Sequence, residues 1–409
     1  MPPADGPLRQ GTPAYRRLTL AMLFAGFSTF SLLYSVQPLL PLFAADYGLS
    51  AEGASLAVSL ATGPLAIGIL FAGILSDRLG RRPLMVWAMF AAGGLTLAAA
   101  LVPGWNTLLA LRLLTGVALA GVPAVAMAYV AEEVDVASVG AAMGLYIAGS
   151  AIGGMGGRLV ASLVADVAGW RWALGSVGLA GVVMAEGFRR LAPASRGFVA
   201  GGGGHPLAGI AALLRDRALP LLYAEAFLLM GAFVTIYNYA GFRLLAAPYN
   251  LSQAAVGLVF LLYILGSASS AAFGSFAGKV GRRRVFWLPI VLLIAGVAAT
   301  EARPLAWVIG GIALVTIGFF GAHSIASAWV GRRATGNRGQ AAALYLFFYY
   351  LGSSVLGSAG GVAWSRAGWQ GVALFCLALG ALALGLGVLL ARVPPLPTPD
   401  LPDPSPVEP

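Results

Sequence analysis

Gly73-Ile74-Leu75-Ser76-Asp77-Arg78-Leu79-Gly80-Arg81-Arg82 is a short basic segment set between two apolar stretches. It returns as Gly274-Ser275-Phe276-Ala277-Gly278-Lys279-Val280-Gly281-Arg282-Arg283, about half of the 409-residue chain later. Two similar halves, each with one such loop, are the simplest explanation. Ala168-Gly169-Trp170 is echoed by Ala367-Gly368-Trp369, and Leu145-Tyr146 by Leu344-Tyr345, in the same order and at nearly the same offset. Chance supplies single short matches, whereas an ordered series at one period argues for duplication.

Outward from these loops the chain is apolar. Hydrophobic residues make up 59% and charged residues 10%, with a mean hydropathy of +0.86, against roughly 45–50% and about 25% in a soluble domain. Runs of about 20 apolar residues, long enough to cross a hydrocarbon layer of about 30 Å as helix, recur along almost the whole sequence. Twelve can be drawn, among them 18–42, 106–130, 254–277, 340–363 and 370–391. The stretch from Val362 to Leu390 has none of the alternation of a barrel strand. The expected fold is therefore an all-α membrane protein. Its parts are an N-terminal segment (1–17), a six-helix bundle (18–191), a linker (192–217) with Gly201 to Gly204 and His205, a second bundle (218–392) and a proline-rich tail (393–409). The tail has little apolar surface to bury and is expected to be disordered. No small-residue cleavage site follows the first apolar run, which reads as a retained helix.

A net charge of +10 and a pI near 10.1 would suggest nucleic acid in a soluble protein, but the position of the charges argues otherwise. With the N-terminus inside, Arg16, Arg17, Arg78, Arg81, Arg82, Arg189, Arg190, Arg215, Lys279, Arg282, Arg283, Arg284, Arg332 and Arg333 all fall in cytoplasmic segments, as the positive-inside rule requires. Both termini are then cytoplasmic, and the basic pI reflects topology and contact with the lipid bilayer. Cys376 is the single cysteine, so no intramolecular disulfide can form. No metal-spaced cluster, no ATP loop and no Ser-His-Asp set on one membrane side is found, and His205 and His323 are isolated. The sequence points to no metal, no cofactor and no enzyme.

Gly73-x-x-x-Asp77-Arg78-x-Gly80-Arg81-Arg82 resembles the signature loop between helices 2 and 3 of the major facilitator superfamily. Arg112-x-x-x-Gly116 resembles the family's helix-4 motif. Gly149-Ser150-Ala151-Ile152-Gly153-Gly154-Met155-Gly156-Gly157 resembles the helix-5 motif of its antiporters, with Gly154 where those carry proline. Tyr34-Ser35-Val36-Gln37-Pro38-Leu39-Leu40-Pro41, Phe320-Gly321-Ala322-His323-Ser324 and the run from Tyr345 to Ser354 resemble a bacterial subgroup of twelve-helix drug and sugar (arabinose-efflux-like) exporters.

The resemblance implies two pseudo-symmetric six-helix bundles rocking about a site near the midplane. It further implies a monomer of the bacterial inner membrane, exporting small weakly polar organic compounds (drugs, sugars or nucleosides) with protons as the coupling ion. The alternative is a proton symporter or facilitator that imports a small nutrient, which the missing proline favours. Also implied is a latch made of Gly73, Asp77, Arg78, Gly80, Arg81, Arg82 and Glu132 that holds the outward-open state. In it Asp77 meets the positive N-terminus of the eleventh helix near Gly339 and Gln340, and Arg81 bridges to Glu132. Gly278 replaces the aspartate in the second loop, whose latch is then degenerate.

Few ionisable side chains lie inside the apolar runs, and each is a functional candidate because a charge in lipid costs several kcal/mol. Arg112 would tune a nearby acid or bind substrate. Arg158 would do the same or anchor at the interface. Glu225 and His323 are the proton-coupling candidates, since the run from Ala21 to Leu42 has no acid. Glu186 reads as an ordinary helix-end partner of Arg189 and Arg190. Glycines at Gly149, Gly153 and Gly157, and at Gly357 and Gly361, let helices approach closely where lipid gives no hydrophobic push. If the family architecture holds, the cavity wall draws on Tyr34, Gln37, Tyr237, Asn238, Tyr239, Tyr345, Phe348 and Tyr349. Rings with few charges suit neutral or amphipathic small molecules.

Overall fold

A computed structural model of the chain describes residues 6–195, 206–334 and 337–394. The glycine run with His205 and the tail from residue 395 onward lie outside the described residues. The first half contains α1 (Pro13–Tyr34), a 3-10 turn (Gln37–Leu39), α2 (Leu40–Tyr47), α3 (Ala51–Leu79), α4 (Arg81–Leu101), α5 (Trp105–Leu119), α6 (Pro123–Glu133), α7 (Val139–Ala168) and α8 (Trp170–Leu191). After α9 (Pro206–Arg215) in the linker, the second half contains α10 (Leu219–Leu245), α11 (Gln253–Leu258), a 3-10 turn (Val259–Leu262), α12 (Tyr263–Val280), α13 (Arg282–Val285), α14 (Trp287–Ala299), α15 (Leu305–Arg333) and α16 (Arg338–Arg392).

Among the described residues, nine helical stretches are long and apolar enough to cross a membrane. The last of these is two passes, because Ala367 and Gly368 leave helical geometry within it. The arginine-rich α8 and the α13–α14 pair complete twelve, in two six-helix bundles.

Three expected continuous runs are interrupted, each for a local reason. Pro38 has no N–H to give, and the first pass breaks into α1, a 3-10 turn and α2. The fourth breaks at Gly121-Val122, and Pro123 starts α6 at the position where a missing N–H does no harm. The eighth passes through the 3-10 turn Val259–Leu262. Conversely, most helices extend a turn past their apolar runs, because backbone hydrogen bonding continues into the polar interface.

The halves share their punctuation. Ser50 caps α3 by accepting from the Gly53 N–H at 3.0 Å, and Ser252 caps α11 by accepting from the Ala255 N–H at 3.1 Å. Gly80 (φ 87°) and Gly281 (φ 102°) make the turn in each basic loop, in backbone conformations that L side chains rarely adopt. Gly169 and Gly368 form a second such pair.

Within the first half, α7 lies directly on α1. A Cβ added at Gly149, Gly153 or Gly157 would come 2.2 Å from Leu23 O, 2.2 Å from Phe27 O and 2.5 Å from Ser31 Oγ. The second half repeats this between α16 and α10, where Gly352 meets Phe227 O at 2.1 Å by the same measure. Phe71, Ile147, Leu374 and other large apolar side chains are exposed on the outer faces, with Trp87 and Trp287 towards one end and Trp172 and Trp307 towards the other, as lipid contact and interfacial aromatic belts require. The end that carries both basic loops is called here the basic end, and the opposite one the far end.

Candidate functional site

Arg158 on α7 is only 2% exposed, so it does not reach for an interface. Its Nε donates to Gln37 Oε1 at 2.6 Å and its Nη1 to Gly154 O at 2.6 Å. The guanidinium lies over three rings, Tyr34 (4.4 Å), Tyr263 (5.0 Å) and Phe260 (5.4 Å), the last two from the second half. No carboxylate comes within ion-pair distance of it among the described residues. The ring faces supply what countercharge it has. Gln37 Nε2 in turn donates to Asn238 Oδ1 at 2.7 Å, across the boundary between halves.

Other bonds cross the boundary nearby. Tyr34 Oη lies 3.5 Å from Ser353 Oγ, Ser59 Oγ lies 2.6 Å from Ser358 Oγ, and Gln253 Nε2 donates to Pro38 O at 2.7 Å. These bonds, with Ala254 N–H to Asp166 Oδ1 and the Ser354 hydroxyl to Ser59 O, lie in the middle and toward the far end.

From Arg158 the rings continue through the second half. Tyr263 meets Phe233 at 5.6 Å, Phe233 stacks on Phe319 at 4.0 Å, and Phe319 stacks on His323 at 5.8 Å. Tyr237 joins this column through Tyr263 and Phe260 while its hydroxyl pairs with Thr316 Oγ1 at 2.8 Å. His323 ends it, with Tyr349 at 4.9 Å and Tyr345 Oη 2.9 Å from its Nδ1. Phe348 stacks instead on Tyr223, and Tyr239 donates to Gly357 O at 3.0 Å beside Trp364, both within the second bundle.

Glu225 is fully buried on α10, and neither carboxyl oxygen has a hydrogen-bond partner among the described residues. It faces Gly387 and lies within electrostatic range of Tyr345. Glu225, Tyr345 and His323 therefore form one neighbourhood inside the second bundle.

Arg112 bonds with three nitrogens to backbone oxygens, Nε to Ala57 O at 2.9 Å, Nη1 to Leu32 O at 3.0 Å and Nη2 to Leu33 O at 2.5 Å. The last two belong to the turn before Pro38, where the helical ladder is interrupted. One turn along, Gly116 lets α5 touch α3 at Ala61 O. No acid is within ion-pair distance of Arg112 among the described residues, so the geometry makes it a clamp across a broken helix.

At the basic end, Arg81 Nη1 lies 2.6 Å from Asp77 Oδ1 and Nη2 lies 2.9 Å from Glu132 Oε1, with the Ser76 hydroxyl also in contact. Arg82 donates to Ala192 O and Arg189 O at 2.9 and 2.7 Å. Asp77 is thus paired with Arg81 of its own loop. Residues 335–336, just ahead of α16, lie outside the described residues. Glu186 pairs with Arg189 at 2.6 Å and Arg190 at 2.5 Å, as a helix-end ion pair.

Phe260, Tyr263, Thr316, Ser353 and Ser358 were not singled out from the sequence. The only signal was the spacing of Phe260 and Tyr263, three apart and so on one helical face. Both come from the eighth pass, outside the passes from which cavity residues were drawn.

Twelve passes in two related bundles, with a polar and aromatic seam between them, make the architecture of a two-bundle membrane transporter. The sequence profile of the Major Facilitator Superfamily matches residues 22–247 and 226–409, and the chain belongs to that family. It is 43% identical over 381 residues to the inner membrane transport protein YnfM of Escherichia coli (strain K12), covering 90% of this chain and 89% of that one. It is 44% identical over 370 residues to the uncharacterized MFS-type transporter YybF of Bacillus subtilis (strain 168), covering 89% and 91%. Among solved structures, a bacterial homolog of the human lysosomal transporter Spinster, in an inward-facing and occupied conformation, superposes with a TM-score of 0.77 at 14% identity, covering 93% of this chain and 98% of that one.

Proposed function

We propose that the chain is a proton-coupled exporter of the bacterial inner membrane, with both termini cytoplasmic, which moves small weakly polar organic compounds by alternating access. The observation that carries this reading is the column of rings from Arg158 to His323. Such a surface offers large contact area and few fixed charges, which suits compounds with an apolar body and one or two polar groups. The column begins at the boundary between halves, where rocking would make and break it. With the basic end cytoplasmic, the bonds across the boundary close the outer side.

Proton coupling is supported by the neighbourhood of Glu225, Tyr345 and His323. A bare carboxylate without donors is costly in such a place, whereas a carboxyl that carries its proton is not. Releasing that proton requires a new partner, and Tyr345, bonded to His323, offers a polar path within electrostatic range. The name of the Escherichia coli relative supports the inner membrane. Gly154 in place of proline on α7 favours the second reading, a symporter or facilitator importing a small nutrient.

The test is reconstitution in vesicles with an imposed pH gradient, screening compounds for substrate-induced proton movement. Glu225→Gln and His323→Ala are run in parallel. Flux that depends on the gradient and is uncoupled by Glu225→Gln is expected. Flux of every cargo unaltered by the gradient would sink proton coupling, and influx accelerated by an inward gradient would favour the importer.

A further inference from the structure

The second basic loop borders a cavity of about 730 Å³ at the basic end, lined by Val280, Gly281, Arg282, Arg283, Arg284, Trp329, Arg332 and Arg333. Five guanidinium groups border it, and among the described residues one acid answers them: Asp216 takes Arg333 Nε at 2.9 Å while also accepting from the Ala218 and Leu219 N–H groups. Among the described residues, no carboxylate lies within ion-pair distance of Arg282, Arg283, Arg284 or Arg332. Burial, and then the like charge of Arg332, makes Arg282 hold its proton less tightly than a free guanidinium does. Like charges held together in a concave site favour an anion that brings them a shared partner.

We propose that this pocket, through Arg282, Arg284 and Arg332, binds a phosphate group, supplied by the headgroup of an anionic phospholipid. A phosphate presents several acceptor oxygens at once and matches the planar fork of arginine. The surroundings favour lipid over a soluble phosphate. Val280 lines the cavity and is exposed, Phe276 one turn earlier on α12 is exposed, and Trp287 is half-exposed with its indole N–H donated to Arg284 O at 2.8 Å. Apolar surface for acyl chains thus adjoins the charged pocket, with a tryptophan at headgroup level. Under the topology proposed above, the pocket faces the leaflet whose anionic lipids attract basic clusters. The bound lipid would be a ligand of the protein and not its cargo.

The test uses the full chain in detergent, with phosphatidylglycerol, phosphatidylcholine or inorganic phosphate added separately. Retained lipid is read by native mass spectrometry, and unfolding temperature is read alongside. Phosphatidylglycerol is expected to bind and to raise the unfolding temperature, and phosphatidylcholine to do neither. Arg332→Gln should weaken the phosphatidylglycerol effect about fivefold, and Arg282→Gln with Arg332→Gln about 25-fold, at the attraction typical of one basic residue near an anionic surface. Arg332→Lys, which keeps the charge but not the fork, should lose less than Arg332→Gln and guards against a merely misfolded variant. Stabilisation by inorganic phosphate alone, lost in the same variants, would keep the phosphate site and overturn its lipid source. Equal binding of the two lipids, or phosphatidylglycerol binding indifferent to both substitutions, would overturn the proposal.

Discussion

In the first half Arg81 sits between Asp77 and Glu132, 2.6 and 2.9 Å away. In the second, the matching Arg282 has Gly278 where the aspartate stood, and Arg332 and Arg333 fall within one residue of the places that Glu132 and Glu133 hold. Both loops turn on a glycine of positive φ and join corresponding passes, the second to the third and the eighth to the ninth. The backbone has stayed symmetric while the charges have not. One copy satisfies its arginine internally and can serve as a latch that forms or breaks with conformation. The other lacks the matching acids and carries more arginines, of which only Arg333 has an acid partner among the described residues, which leaves the rest free to take up the anion proposed above.

The sharpest way to break this contrast is to invert the matching charges. Arg81→Glu sets a third carboxylate beside Asp77 and Glu132, and transport in vesicles should fall at least tenfold. Arg282→Glu should leave flux within about threefold of the parent in neutral lipid, and equal losses from the two would erase the distinction. Next, Glu132→Gln removes the charge from a bidentate, partly buried pair, an effect of about 1–2 kcal/mol. Its expected outcome is a roughly tenfold shift in the accessibility of cysteines introduced one at a time at the basic end to a water-soluble reagent, with protein yield unchanged.

A smaller change should follow from Gly278→Asp, whose new Cβ meets nothing within 4 Å. It returns an acid to the second loop and should weaken stabilisation by phosphatidylglycerol about fivefold. No weakening would mean that the loop's lost aspartate is unrelated to the pocket. The smallest effect expected is that of salt. Raising ionic strength to about 1 M shortens screening to about 3 Å, which should reduce lipid stabilisation while leaving the accessibility pattern set by the 81–132 pair nearly unchanged.

Much of the architecture was legible because it rests on patterns that survive in one dimension. Apolar run length gave the passes, and the repeated loop gave the two bundles. Glycines spaced by four marked the α1–α7 contact at Gly149, Gly153 and Gly157. What could not be read were the interruptions within passes, where proline or glycine breaks a helix without breaking its hydropathy, as at Pro38 and Gly121. The site was legible only in part for a related reason. Residue type flagged Arg112, Arg158, Glu225 and His323 as unusual in lipid, but not their partners. Arg112 turns to the carbonyls of a broken turn and Arg158 to rings of the other half, and neither choice leaves a mark in its own neighbourhood of sequence. Phe260 and Tyr263 look like ordinary apolar filling until the fold brings Arg158 over them.

The contact of α1 with α7 has a practical consequence. Because Gly149, Gly153 and Gly157 seat directly on the backbone of Leu23, Phe27 and Ser31, neither helix can slide or turn against the other without a clash. The pair must travel as one rigid strut. Spin labels attached to these two helices should report a constant separation through the whole cycle, giving an internal ruler against which every other distance change in the molecule can be judged.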